Sequence, residues 1–200
     1  LAQSPVILGR ETIISSGSSV TVDPGVEVRI ATGASLVVDG TLNTNGTPGS
    51  RVRFGASSGR RGSLVVNQGG VINLNGAEIR GAGAGGVAIA AFGGSATIAD
   101  SLIEQSGQIY GGGGSITLLR SQVSGVAPVS ISVPIGGAAT LVSNSIVNPA
   151  TDGSSAVTVN TSSHDARVDI RNNSISGSSG VNLLGQFDAP HAATLHCHTF

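Results

Sequence analysis

Large side chains are what this chain most conspicuously lacks. Its 200 residues include no Trp, no Met, one Tyr and four Phe. A compact globule of this length fills its centre with bulky residues; here Val, Ile, Leu and Ala must do that work, so the core is expected to be thin and uniform. Lysine is absent as well, and only 10% of residues are charged, for a net charge of −1. Arg60-Arg61 is the only adjacent basic pair, which argues against nucleic-acid binding by phosphate neutralisation. A single cysteine, Cys197, forbids an internal disulfide. No apolar run approaches the roughly 18 to 20 residues of a membrane span, so no membrane insertion by this segment is expected. The first residue is Leu1, and Leu1-Ala2-Gln3 reads equally as the tail of a small-residue signal cleavage site or as a trimmed boundary.

What is present is glycine and regular β-branched residues. The 31 Gly follow no strict G-X-Y period, which excludes collagen. The Val and Ile between them argue against disorder. Residues 5–56 alternate apolar and polar positions in short bursts broken by turn signals: Asp23-Pro24-Gly25, Thr32-Gly33, Asp39-Gly40, Asn45-Gly46 and Pro48-Gly49. No window carries a sustained apolar stripe at helical spacing.

From about residue 62 a frame recurs. With Leu118 as anchor, Ile116 lies two residues before, Ser121 three after and Val123 five after. The same frame fits anchors Leu74, Ile98, Leu141, Ile170 and Leu195, at intervals of 20 to 29 residues. Such a period marks a solenoid. A second strand falls between anchors, at Val87–Ile89, Val129–Val133, Val157–Val159 and Val181–Leu183. The chain therefore reads as one all-β domain over 1–200, with opening coils at about 5–61 and regular repeats at about 62–200. Parallel coils stacked about 4.8 Å apart would number about nine. The longest anchored interval, Leu141 to Ile170, is expected to carry the largest outward loop, around Asn148–Ser155 or Thr161–Asp165. The anchor-plus-three residues (Ala77, Ser101, Ser121, Asn144, Asn173, His198) suit a ladder of small polar side chains at a tight turn that tolerates unusual backbone angles. The anchor-minus-one residues (Asn73, Thr97, Thr117, Thr140, Asp169, Thr194) must point outward. That outward Thr row is too interrupted to make the regular hydroxyl array that ice binding needs.

The six copies resemble the parallel β-helix repeats of right-handed, pectin-lyase-like proteins. The Pro-Gly-Val-x-Val-x-Ile, Leu-x-Val-x-Gly-Thr-Leu and Gly-Thr-Pro-Gly-Ser-x-Val-x-Phe runs within Val20–Phe54 are similar to the opening coils of many secreted members. The resemblance implies right-handedness and an extracellular or cell-surface setting. It spans lyases, hydrolases, tailspikes, autotransporter passengers, adhesins and structural surface proteins, so it implies no single activity.

A polysaccharide hydrolase or lyase on this fold needs carboxylates that converge on one groove. The acids here do not share columns: Glu78 and Glu104 sit at anchor plus four and plus six, Asp100 and Asp169 at plus two and minus one. Tyr110, Phe92 and Phe187 are the few aromatic rings outside the anchored frame and opening coils that could carry a sugar. His196-Cys197-His198 could hold zinc or copper, but the strand bends between the two His; the structural alternative puts Cys197 in the core and His198 in the turn ladder. Asp152, His164 and Asp165, in the longest anchored interval, are the weak binding candidates; the bland alternative is a solvated Ser/Thr-rich loop. No catalytic residue, metal site or cofactor is assigned. The Gly81–Gly86 and Gly111–Gly114 runs lack a phosphate-loop pattern and read as solenoid corners. The last copy stops at Phe200 with no polar capping segment after it, so a longer natural chain or a covering partner is expected. The expected function is a secreted or cell-surface structural or adhesive module, with surface glycans or another copy of itself as partners. The rivals are a carbohydrate-active or glycan-binding β-helix and a self-assembling or tailspike-like fibre.

Overall fold

A computed structural model describes residues 4–56, 62–81, 87–104, 107–125, 128–161, 165–177, 179–185 and 194–196. It is a parallel β-solenoid built from three sheets of eight strands each, and no helix occurs among the described residues. The chain visits the sheets in strict rotation. Sheet A begins with Val6–Leu8, sheet B with Thr12–Ile14 and sheet C with Ser19–Val22, and each later coil adds one strand to each sheet. The result is eight rungs, against the nine expected. The reason lies in the register: steps such as Thr44 onto Leu74 and Leu141 onto Ile170 are longer than a coil of about 22 residues allows. Thr44-to-Leu74, in the opening coils, also exceeds the longest of the anchored intervals.

The anchors stack as their sequence frame requires. Leu74, Ile98, Leu118, Leu141, Ile170 and Leu195 are successive register partners in sheet C. Ile79, Ile103, Val123, Ile146 and Ile175 are partners in sheet A. The intermediate strands form sheet B, including Val129–Val133, Val157–Thr161 and Val181–Gly185. Alternation sends one set of residues inward, so the core is a column of Val, Ile, Leu and Ala, with Phe54 the one buried aromatic among the described residues.

The corner between sheets C and A explains the polar ladder. The anchor-plus-two residue adopts the left-handed conformation in five consecutive rungs: Gly76, Asp100, Arg120, Ser143 and Asn172, with φ between 46° and 60°. The strained position thus lies one residue earlier than the sequence frame suggested. That reversal turns the next residue inward, where Ser101, Ser121, Asn144 and Asn173 are buried. Each accepts the backbone N–H of its neighbour one rung below: Ala77 N donates to Ser101 Oγ (3.0 Å), Ser101 N to Ser121 Oγ (3.1 Å), Ser121 N to Asn144 Oδ1 (2.9 Å) and Asn144 N to Asn173 Oδ1 (2.8 Å). The amide Nδ2 groups of Asn144 and Asn173 donate to Leu118 O and Leu141 O. A tight corner that would otherwise bury unpaired amides is satisfied from within. His198, the next place in this column, lies outside the described residues.

The sheet B–C corner is built from glycine pairs. Gly69, Gly93, Gly113 and Gly136 have φ near 80°. At the following residue no Cβ fits: one at Gly114 would lie 2.3 Å from Gly94 O. Of the Gly111–Gly114 run expected to be a corner, Gly113-Gly114 forms it, whereas Gly111 and Gly112 close the strand Gln108–Gly112; of the other glycine-rich run, residues 82–86 lie outside the described residues.

Leu118 has no exposed surface. Leu118→Asp should leave the chain unfolded or insoluble, because an unpaired carboxylate in this column costs several kcal/mol. Thr117→Asp, on the outer face, should shift stability by about 0.5 kcal/mol or less. Asn144→Leu should cost about 2–4 kcal/mol by orphaning Ser121 N and Leu118 O. Urea unfolding midpoints of the three variants check the register directly.

Candidate functional site

Three outer faces differ in chemistry, and each is a consequence of the register. Sheet A is the charged face. Glu27, Arg53 and Glu78 are successive partners in one column, and Arg80 is opposite Glu104 in the next. Arg29 Nε lies 2.8 Å from Glu27 Oε1; Arg80 bridges Glu78 (2.9 Å) and Glu104 (3.1 Å), and Arg53 reaches Glu78 at 3.4 Å. The hydrogen bond from Arg29 holds the Glu27 carboxyl below its usual range. Glu78 faces Leu102, not Glu104, so the two acids belong to different columns. At the neighbouring corner Arg120 grips Asp100 through both carboxylate oxygens (2.9 and 2.7 Å), while Arg51 Nη1 donates to the Asp100 carbonyl (2.6 Å). On sheet C, Arg171 pairs with Asp169 at 2.6 Å. Each of these carboxylates has a guanidinium partner, and for Glu27 and Asp100 the hydrogen bond from arginine lowers the pKa. A general acid needs the opposite, a carboxyl whose pKa is raised.

Sheet C carries amides and hydroxyls. Asn43, Asn73, Thr97, Thr117, Thr140 and Asp169 occupy its central outward column. Asn73 Nδ2 donates to Asn43 Oδ1 (2.9 Å), and Asn43, Asn45, Asn73, Asn75 and Thr97 line a shallow groove of about 190 Å³.

Sheet B carries the outward apolar column, exposed at Ile13 and buried at Ala90. Ile13, Val37, Val65, Ala90 and Tyr110 are successive partners, followed by Ser130, Thr158 and Asn182. Phe92 and Tyr110 meet there with ring centroids 5.8 Å apart and planes inclined by 58°. Phe92 is 49% exposed. The residue between them is Gly112, where a Cβ would lie 2.7 Å from the Tyr110 ring and 3.1 Å from that of Phe92. The two rings cover the bare glycine backbone, the cross-strand aromatic cover that stabilises a glycine in a sheet. Sequence reasoning named both rings but could not see that one coil of register brings them together. Phe187 lies outside the described residues.

Of the weak binding candidates, Asp152 and Asp165 lie off opposite ends of one strand. Asp152 is exposed at the tip of the loop between Ser145–Val147 and Val157–Thr161. Asp165 lies beyond the other end of that second strand, which alone spans about 16 Å. His164 lies outside the described residues, as do His191, Cys197 and His198. Among the described residues no group of three or more His, Cys, Asp or Glu could hold a metal ion. The Asp152 loop is built around Asn148: its Nδ2 donates to Ser154 O and Oγ (both 2.9 Å), its Oδ1 accepts from Ala150 N (3.0 Å), and Ser154 N donates to Asp152 Oδ1 (2.9 Å). Hydrogen bonds from the Ser154 side chain and backbone hold the Asp152 carboxyl below its usual range.

These features define the class of protein as a parallel β-solenoid with three chemically distinct faces. Comparison with protein-family models, curated proteins and solved structures produced no match.

The Asp100–Arg120 pair gives a pH test. The Arg120 hydrogen bond lowers the Asp100 pKa, against an opposing effect of burial. A carboxyl with a depressed folded pKa adds stability above its unfolded value, about 3.9, and loses it as pH falls through the folded value. Arg120→Ala should raise the Asp100 pKa toward the unfolded value in an NMR titration. The stability gap between variant and parent should be present at neutral pH and close in acid.

Proposed function

We propose that this chain is a secreted or cell-surface β-solenoid module, right-handed, structural or adhesive, that works by presenting long rigid faces and not by turning over a substrate. The observation that carries this reading is the fate of the carboxylates. Glu27, Glu78, Glu104 and Asp100 lie in columns with arginines, Asp169 lies two residues before Arg171 on one strand, and all five pair with a guanidinium. Arg53–Glu78, Arg80–Glu104 and Arg120–Asp100 tie neighbouring rungs together, while the other pairs lie along single strands; exposed pairs of this kind contribute little each. The buried ladder from Ser101 to Asn173 stiffens the same rod from inside. The family resemblance supports the surface setting.

A second reading, glycan binding, is favoured by one specific arrangement. Phe92 and Tyr110 offer partly exposed rings on the outer face of sheet B, with Ser132 in register opposite Gly112 and Gln68 packed against Gly93. A sugar ring can stack on such a surface through its C–H face. Tyr110 is the only tyrosine and there is no tryptophan, so near-ultraviolet-excited fluorescence reports on this one place.

Both readings meet one experiment: a glycan array followed by a depolymerisation screen on the positives. The structural-adhesive reading expects no chain shortening of any polysaccharide. Reproducible turnover lost in Glu78→Gln or Asp169→Asn would overturn it. For the glycan reading, a bound sugar should perturb Tyr110 fluorescence and lose at least tenfold in affinity in Phe92→Ala, a loss of about 1.4 kcal/mol. Unchanged binding in that variant would remove the ring pair from the site.

A further inference from the structure

Four Asn-Gly or Asp-Gly pairs occur among the described residues: Asp39-Gly40, Asn45-Gly46, Asn75-Gly76 and Asp152-Gly153. Such pairs share a latent reaction. The amide nitrogen of the glycine can attack the side-chain carbonyl carbon of the preceding residue, and glycine offers the least steric resistance to that approach. The fold treats the four pairs unequally.

Three are locked. Gly40 N donates to Ile14 O (2.9 Å), Gly46 N to Asn75 O (2.9 Å) and Gly76 N to Ala99 O (3.1 Å). Their nitrogens are occupied by the stacking bonds of the solenoid. Their surroundings are equally closed: a Cβ would meet backbone oxygen at 2.3 Å at Gly40, 2.1 Å at Gly46 and 2.2 Å at Gly76. Cyclisation at any of them requires breaking a rung.

Asp152-Gly153 is the contrast. Both residues are exposed, Gly153 has φ +86°, and nothing lies within 4 Å of the place its Cβ would occupy. The Gly153 amide donates to no described carbonyl, while around it Ser154 N donates to Asp152 Oδ1, Asn148 Nδ2 to Ser154 O, and Ser179 Oγ to Gly153 O. The first of these folds the Asp152 side chain back over the peptide that follows it, as an Asx-turn does.

We propose that Asp152-Gly153 is a site of spontaneous isoaspartate formation, the one of these four pairs where the native fold leaves this chemistry open. The Gly153 nitrogen bonds to Asp152 Cγ as the amide proton leaves. The Cγ–OH bond of the protonated carboxyl breaks, and the hydroxyl departs as water with that proton. The product is a five-membered succinimide. Water then adds to one of its two carbonyls. Opening at Cγ restores Asp152; opening at the main-chain carbonyl leaves the chain running through Cβ and Cγ, an isoaspartyl link with a free α-carboxylate. No oxidant, reductant or other reactant is involved, and the mass of the finished chain is unchanged.

The consequence is local. The isoaspartyl link lengthens the backbone by one methylene and removes the carboxylate that Ser154 N binds. The Asn148 to Ser154 anchor then holds a misregistered tip. The rod and its ladders are untouched, so an aged molecule differs from a new one in its protruding loop.

The test uses the intact chain, held at physiological temperature and mildly acidic pH, where part of the Asp152 carboxyl is protonated against the hydrogen bonds from Ser154. Methyl transfer by a carboxyl methyltransferase specific for isoaspartate, followed by peptide mapping, locates the product. Signal should accumulate in the peptide containing Asp152 and stay at background at positions 39, 45 and 75. After denaturation, all four should accumulate it. Asp152→Glu, which would need a six-membered ring, should lose the native-state signal while its urea midpoint stays unchanged. Two outcomes overturn the proposal: comparable native-state signal at the three locked pairs, or no signal at Asp152 in native protein when denatured chains show it.

Discussion

In-register stacking is the constraint on which everything else in this molecule depends. A coil of this size cannot bury its own apolar face, so each rung is stable only between neighbours. Stacking requires every coil to pass the same points in the same order. The corner between sheets C and A enforces this. A left-handed residue turns the chain, and the small polar residue after it accepts the amide of the preceding rung. Non-glycine residues hold that conformation at four of the five described corners of the regular repeats, at a cost of about 1 kcal/mol or more each. The ladder from Ser101 to Asn173 offsets that strain by satisfying amides that the turn would otherwise leave buried and unpaired.

Stacking also determines what the surface can be. A residue type at one register position is repeated as a column about 4.8 Å per step, so isolated groups become rows. On sheet A this gives alternating signs, Glu27, Arg53, Glu78, which attract along the column where like charges would repel. On sheet C it gives an amide and hydroxyl row, and on sheet B an apolar row that ends at Tyr110 and continues as Ser130 and Thr158. A protein of this kind is better equipped to offer extended, regular surfaces than to converge several different groups on one reacting atom. Loops are where irregular chemistry can enter, and the described loop that protrudes furthest from this pattern, Asn148–Ala156, is the one whose Asp-Gly pair escapes the stacking bonds.

Much of this was legible in the residues. A period-2 pattern repeated at 20 to 29 residues determined a parallel solenoid, because only stacking lets so many short apolar strands share one core. The frame around Leu118 separated inward from outward positions correctly, since side-chain alternation is a local property of a strand. It also showed that Glu78 and Glu104 fall in different columns. Tertiary structure alone decided the rest. The eight rungs depend on coil lengths in the opening segment, where Thr44 and not an aliphatic residue holds the anchor place. The left-handed corner falls one residue before the buried polar ladder, and at Arg120 on a residue type that no propensity argument would select. Phe92 and Tyr110 meet because two coils align, and Asp152 and Asp165 part because a strand lies between them. Sequence spacing determines which residues alternate; only the closed register, with its cross-rung hydrogen bonds, decides which of them become neighbours.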